Sequence, residues 1–185
     1  YQKCYYMYML MIRNRSRSLL SFALISVAIL CFAGGIYLLW TALSPEIATR
    51  LIDPENNQTT RLLAETKDET PPEPHLYIPK IDVNVPYTTG TEAVMERGAW
   101  WRKPNNGNPK DGGNFVLSAH RFIMGVTPEQ TRRQSPFYSI NRRALGDEII
   151  VDYDGQRYTY EITKIYSVTP DAIEIEAPTE DARLT

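Results

Sequence analysis

The chain has 185 residues, 20 basic and 22 acidic, for a formal net charge of −2. That near balance averages two unlike regions: Lys3, Arg13, Arg15 and Arg17 are the only charges before Glu46, which leaves 16 basic against 22 acidic residues, or −6, in the remainder. With no basic stripe beyond the N-terminal tail, nucleic acid is excluded as the main partner. The two cysteines, Cys4 and Cys31, both precede the polar part of the chain and exclude a disulfide framework or a cysteine-based zinc site there. His75 and His120 match no common metal spacing, and the acidic residues from Asp171 to Asp181 read as a solvated loop, so no metal and no cofactor are expected.

The chain starts at Tyr1, with Met7, Met9 and Met11 as candidate initiators, and residues 1–17 form a basic tail. Leu19 to Leu43 then runs for 25 residues without a charge. As a helix this spans about 37 Å, enough for a hydrocarbon core of about 30 Å. Tyr37 and Trp40 suit an interfacial belt, and the preceding arginines predict a cytoplasmic N-terminus with the rest exported. The apolar run is too long for the core of a cleavable signal peptide, and Leu30 before Cys31 argues against a lipoprotein site. Residues 18–44 are therefore expected to be an uncleaved transmembrane signal anchor.

Residues 45–75 read as a Pro-rich acidic linker, with Pro45, Pro54, Pro71, Pro72 and Pro74 and a possible short amphipathic helix between Ile47 and Leu63. From Leu76 the texture changes to short strands and turns. Leu76–Ile81 and Val83–Tyr87 are expected as strands held to edges or ends by Pro79 and Pro86, and Glu92–Glu96 as one or two helical turns. Trp100 to Gly113 reads as a long polar loop. Phe115, Val116 and Leu117 then form a strand that ends at Ser118-Ala119-His120, where small residues leave room beside an imidazole. By itself this pattern fits a structural histidine as well as a proton-transfer group.

Ser135–Ile140 is expected as a short helix, with serine as cap and proline in the first turn. Glu148–Tyr153 and Gln156–Val168 read as strands joined by the hairpin signal Asp154-Gly155. Ile173 and Ile175 allow one more short strand. Many short strands with minor helices predict a mainly β fold over residues 76–185, a closed or nearly closed barrel, preceded by one transmembrane helix.

The ordered set Leu76-Tyr77-Ile78-Pro79-Lys80-Ile81, Gly98-Ala99, Gly113-Asn114-Phe115-Val116-Leu117-Ser118-Ala119-His120-Arg121, Phe137-Tyr138, Gly146-Asp147-Glu148-Ile149-Ile150-Val151 and Tyr158-Thr159-Tyr160-Glu161-Ile162 resembles the sortases, membrane-anchored cysteine transpeptidases of monoderm bacteria. The resemblance covers residues 76–185 and implies a sortase-like β-barrel. It also implies His120 as the catalytic acid–base residue, with a cysteine nucleophile in a Thr-Leu-x-Thr-Cys strand and a later arginine. Arg183-Leu184-Thr185 is similar to the approach to that strand, so the cysteine is expected about four residues past Thr185, by motif alignment. The chain to Thr185 is accordingly expected to be truncated, incomplete as a barrel and inactive by itself.

For the complete protein the resemblance implies cleavage of the Thr–Gly bond of a cell-wall sorting signal and transfer, through a thioester, to an amine acceptor. The partners it implies are exported proteins bearing C-terminal sorting signals, and a peptidoglycan precursor or a pilin lysine. Trp100 and Trp101 are candidates for a peptide groove, with at least one expected in the core. Asp53-Pro54 stands where pilin-polymerising members carry a lid, but Glu55 replaces its aromatic residue and a linker turn is the reading adopted. The alternative to an enzyme is a membrane-tethered, non-catalytic β-barrel that binds peptide or glycan, with His120 structural.

Overall fold

The computed structural model describes residues 19–67, 69 and 73–185, and the backbone alone of 2–18. The basic tail, Cys4 and the candidate initiators therefore lie outside the described side chains, as do Thr70, Pro71 and Pro72 of the proline-rich segment. The chain divides into two compact units, Tyr1–Trp40 and Thr41–Thr185. The first belongs to helix α1 (Gln2–Arg50), whose stretch from Leu19 onward holds a window of mean hydropathy 2.4 with none of it buried. It is one candidate membrane span by length and composition.

In the second unit, helix α2 (Gln58–Glu65) is followed by strands β1 (His75–Ile78), β2 (Val83–Thr88), β3 (Ala99–Trp101), β4 (Gly107–Asn108), β5 (Gly112–Phe115) and β6 (Leu117–Ser118). Helix α3 (Pro128–Arg133) and strands β7 (Glu148–Tyr153), β8 (Gln156–Glu161) and β9 (Arg183–Leu184) complete it. One sheet has the order β6-β3-β2-β1-β7-β8 and a second the order β4-β5-β9. All pairs are antiparallel except β2 with β3 and β5 with β9. Among the described strands β8 and β9 do not pair, so the sheets form a half-barrel with an open seam rather than a closed one.

The physical reasons are local. Pro79 cannot donate to a ladder, so the first expected strand stops at Ile78 and turns through a 3-10 helix, Pro79–Ile81. Pro86 is tolerated because β3 pairs with β2 only from Tyr87 onward. The β7–β8 hairpin turns as its residues demand: Asp154 at φ 51° and Gly155 at φ 71° place both central positions in the left-handed region of a type I′ turn. Phe115, Leu76, Ile78, Val151 and Ala99 fill the core, with Trp101 packed edge-on to Phe115 at 5.2 Å and to Tyr153 at 5.9 Å.

Several expectations need correction. The loop Trp100–Gly113 is broken by β3, β4 and the start of β5. Its polar and glycine residues pair through backbone groups, which side-chain composition does not report. The helix expected at Ser135–Ile140 instead precedes it, at Pro128–Arg133, where Thr127 offers the same cap-then-proline signature and accepts the Gln130 N–H. The strand from Gln156 ends at Glu161, and Ile173–Glu176 is a 3-10 helix.

The linker 45–75 is also fastened to the β domain over part of its length. Thr49 and Ser139 share a 2.6 Å hydroxyl contact, the Asn57 amide donates to the Pro79 carbonyl, and Thr59 donates its N–H and hydroxyl to Asp82. Arg157 reaches the Thr66 carbonyl at 3.2 Å. Small polar residues that suggest a solvated tether act here as side-chain staples. Asp53 accepts the Glu55 N–H, closing the expected linker turn.

Two buried carboxylates tie the outer elements down. Asp152 meets Arg157, its partner across the β7–β8 ladder, through two bonds of 2.8 and 2.9 Å. Burial, with Asp152 beside it, pushes the Tyr77 hydroxyl up to about 12. Asp147 accepts from Lys80 at 2.6 Å, from Arg143 at 3.2 Å and from the Ala144 N–H at 2.8 Å. Burial by itself raises the Asp147 carboxyl, but the Lys80 bond, the Ala144 N–H and the Arg143 charge outweigh it and hold the group below its ordinary 3.8.

A carboxyl depressed on folding contributes stability that is complete above its unfolded value and lost as pH falls through the folded one. Asp147→Asn leaves the Arg143 guanidinium buried without its counter-charge and is expected to cost about 3 kcal/mol near neutral pH. In urea titrations from pH 6 to pH 2 (a range chosen to bracket ordinary carboxylate values), the variant should lose less stability on acidification than the parent. Parallel pH profiles would refute the assignment.

Candidate active site

The segment Gly112–His120 belongs to both sheets. β5 pairs with β4 and β9, and after Val116 the chain passes to β3 as β6. At the crossing, the Val116 carbonyl accepts the Arg102 N–H at 3.0 Å, while Leu117 N–H donates to Thr185 and Thr185 N–H to Phe115 at 2.8 and 2.9 Å. Gly113, at φ 78°, makes the entry possible: a Cβ there would meet the Asn106 carbonyl oxygen at 2.5 Å.

His120 follows this crossing strand, half-buried. Its carbonyl accepts the Phe137 N–H at 3.1 Å, and Phe137 and Ala119 both pack against the core, so the backbone beneath the imidazole is held from two sides. The other histidine is differently placed. His75 stacks on Tyr77 at 5.3 Å, and burial lowers its pKa against the opposing pull of Asp152 and Glu73. Among the described residues no group of three or more His, Cys, Asp or Glu is placed to hold a metal ion. Cys31 is exposed within α1, in the other compact unit.

The tryptophans separate. Trp101 belongs to the aromatic core, whereas Trp100 stands outside it, donating its indole N–H to the Gly90 carbonyl at 3.1 Å beneath the Arg102 guanidinium. Of the arginines near His120 in sequence, Arg142 is committed to Glu46 and Arg143 to Asp147.

Asn114 has no task that the residue pattern alone assigns, and the structure supplies one. The side chain is wholly buried, and its amide donates to the Ile175 and Ala177 carbonyls at 2.9 and 2.8 Å. Its oxygen accepts the Thr185 hydroxyl at 2.7 Å. Asn114 thus holds the whole stretch from Ile175 to Thr185 against the histidine strand. The signal was available: an amide directly before the apolar run Phe115-Val116-Leu117 is a polar group in a core strand and needs partners.

The family model of the sortase domain matches residues 76–185, more than half of the chain. The chain belongs to the sortase family. It is 31% identical over 111 residues to the sortase SrtE1 of Streptomyces coelicolor, an alignment covering 56% of this chain and 29% of that relative, so the chain spans about three-tenths of its length. Sortase A of Listeria monocytogenes shares the fold, with a TM-score of 0.50 at 23% identity over 60% of this chain and 70% of the other. A crystal structure of sortase E1 from Streptomyces coelicolor with a tripeptide in its active site is 28% identical, covering 59% and 68% of the two chains at a TM-score of 0.48.

Asn114→Ala removes the donor from two carbonyls and the acceptor from Thr185, and is expected to cost about 2–4 kcal/mol. Limited proteolysis should then cut first between Glu174 and Thr185. Unchanged stability with resistant C-terminal residues would show that the amide does not hold this segment.

Proposed function

We propose that the complete protein is a sortase-type cysteine transpeptidase with His120 as its acid–base residue. The observation that carries the reading is the parallel pairing of β9 with β5. Asn114 stands opposite Arg183 and Phe115 opposite Leu184. A chain that continues β9 in this register brings its fourth residue after Thr185 opposite His120, the spacing at which the family motif carries its cysteine.

In this mechanism the cysteine thiolate attacks the carbonyl carbon of the Thr–Gly bond in a sorting signal. His120 protonates the departing glycine amine as the C–N bond breaks, leaving a thioester. An incoming amine, from a peptidoglycan precursor or a pilin lysine, gives up a proton to His120 and attacks the thioester, and the C–S bond breaks to release the thiolate. An arginine from a later strand stabilises the oxyanion. The half-buried setting of His120 suits this traffic, because its backbone is held while the residue stays partly open to solvent.

The same reading makes residues 1–17 a cytoplasmic tail and 18–44 a signal anchor in the bacterial plasma membrane. Residues 45–75 become the connection to an extracellular domain at 76–185.

His120→Ala in the complete protein is expected to lower kcat/KM for cleavage of a sorting-signal peptide by about a thousandfold, a normal span for loss of general acid–base catalysis. Circular dichroism and the melting temperature should be unchanged. Full activity in a folded variant would sink the assignment and favour a structural histidine.

A further inference from the structure

Two residues after His120 the chain forms a loop with an unusual surface. Phe122, Ile123, Met124 and Val126 are 45, 37, 47 and 77% exposed. Four apolar side chains within five positions form a patch of the kind that marks an interaction site. The loop is nonetheless built. Ile123 N–H donates to the Ser135 hydroxyl, Gly125 N–H to the Thr131 hydroxyl and Val126 N–H to the Gln130 side-chain oxygen, each at 3.0 Å. Backbone donors satisfied from within the protein are what a segment needs if it is to leave water.

Its position says what covers it. Ser44, the residue after Leu43, donates its hydroxyl to the Pro128 carbonyl at 2.9 Å. Val126 is two residues from Pro128, at most about 8 Å between Cα atoms. The polar zone on either face of a bilayer is about 5–8 Å deep. On the reading of residues 18–44 as the anchor, the loop is therefore tied to the anchor's last residue, within reach of the headgroups.

Charge agrees. Arg121, Arg132 and Arg133 are exposed around the loop, and Glu129 is the sole acidic residue of α3. Arg132 and Arg133 line a cavity of about 710 Å³ together with Pro45, Ala48 and Thr49, the residues just past Ser44. An apolar tip with a basic collar is the pattern of an interfacial contact on an anionic lipid surface.

We propose that the loop Phe122–Val126 rests in the lipid headgroup region as a second membrane contact, seating the His120 strand end at the bilayer surface. The inference depends on the anchor reading given above, so its test carries a separate reference for the anchor. The full chain is reconstituted in phosphatidylcholine vesicles containing phosphatidylglycerol, with an NBD fluorophore at Met124→Cys in a Cys4→Ser, Cys31→Ala background. A second preparation carries the fluorophore at Leu145→Cys, a position 66% exposed outside the loop. The reference keeps native Cys31 as the labelled site, with Cys4→Ser alone.

Quenching by a nitroxide on the lipid acyl chain is expected to be at least about threefold stronger at 124 than at 145, as interfacial burial of an apolar loop requires. Quenching at Cys31 together with equal quenching at 124 and 145 would refute the loop contact while leaving the anchor intact. No quenching at Cys31 would remove the anchor and the proposal together. Shielding of 124 that lipid does not quench, and that follows protein density or an added sorting-signal peptide, would assign the patch to a second copy or to substrate and overturn the proposal.

Discussion

The buried amide of Asn114 is the interaction on which the geometry around His120 depends. Its strand has to serve two sheets, and a polypeptide edge can pair with only one neighbour on each side. β3 occupies one side through Arg102 and Val116, and Thr185 occupies the other through Phe115 and Leu117. Backbone bonds alone leave the approach to β9 unsupported, because Ile175 and Ala177 lie outside any strand. Asn114 reaches them with its side chain, so one residue gathers a 3-10 helix, a loop and a parallel strand into a single wall. Glu176 adds to the wall from outside, with its carbonyl held by Asn106 and its carboxylate by Arg102 at 2.8 Å.

The two ends of β7 are held by charge. Asp147 and Asp152 are both buried on or beside β7, and each organises donors from distant parts of the chain. Lys80 brings in the turn after β1, and Arg157 brings in the end of α2. Carboxylates in such positions stabilise only while every partner is present, since a lone buried charge is far costlier than an apolar residue. This explains how residues 41–66, with little apolar surface to bury, remain part of the compact unit. They are fastened by hydrogen bonds to groups that the core already requires.

What could be read from the residues was what local chemistry dictates. The Asp154-Gly155 hairpin and the apolar run from Leu19 announce themselves because each follows from backbone preference or from hydropathy over a short window, whereas Pro79, expected to limit a strand to an edge or end, in fact stops it at Ile78. His120 was legible as a strand-end imidazole, and only the ordered motifs around it lent that a purpose. The strands within Trp100–Gly113 were not legible, since β4 is made of Gly107 and Asn108 and exists because of its partner across the ladder. The helix was displaced from Ser135 to Pro128 because two cap-and-proline signals compete, and packing against the rest of the domain chooses between them. The roles of Asn114, Asn57 and Thr59 are hydrogen bonds to residues 22 to 71 positions away, beyond any sequence window.

The parallel pair β5–β9 also orders events in time. Asn114 and Arg183 are 69 residues apart along the chain, and a contact of that span has to close a long loop before it returns any stability. The chain grows from its N-terminus, so the apolar run from Leu19 is made before the partners of the His120 strand. Until Arg183 to Thr185 arrive, Asn114 has no Thr185 hydroxyl to accept and Leu117 no carbonyl on that side. The His120 strand therefore sets only after the residues from Ile175 to Thr185 have been made.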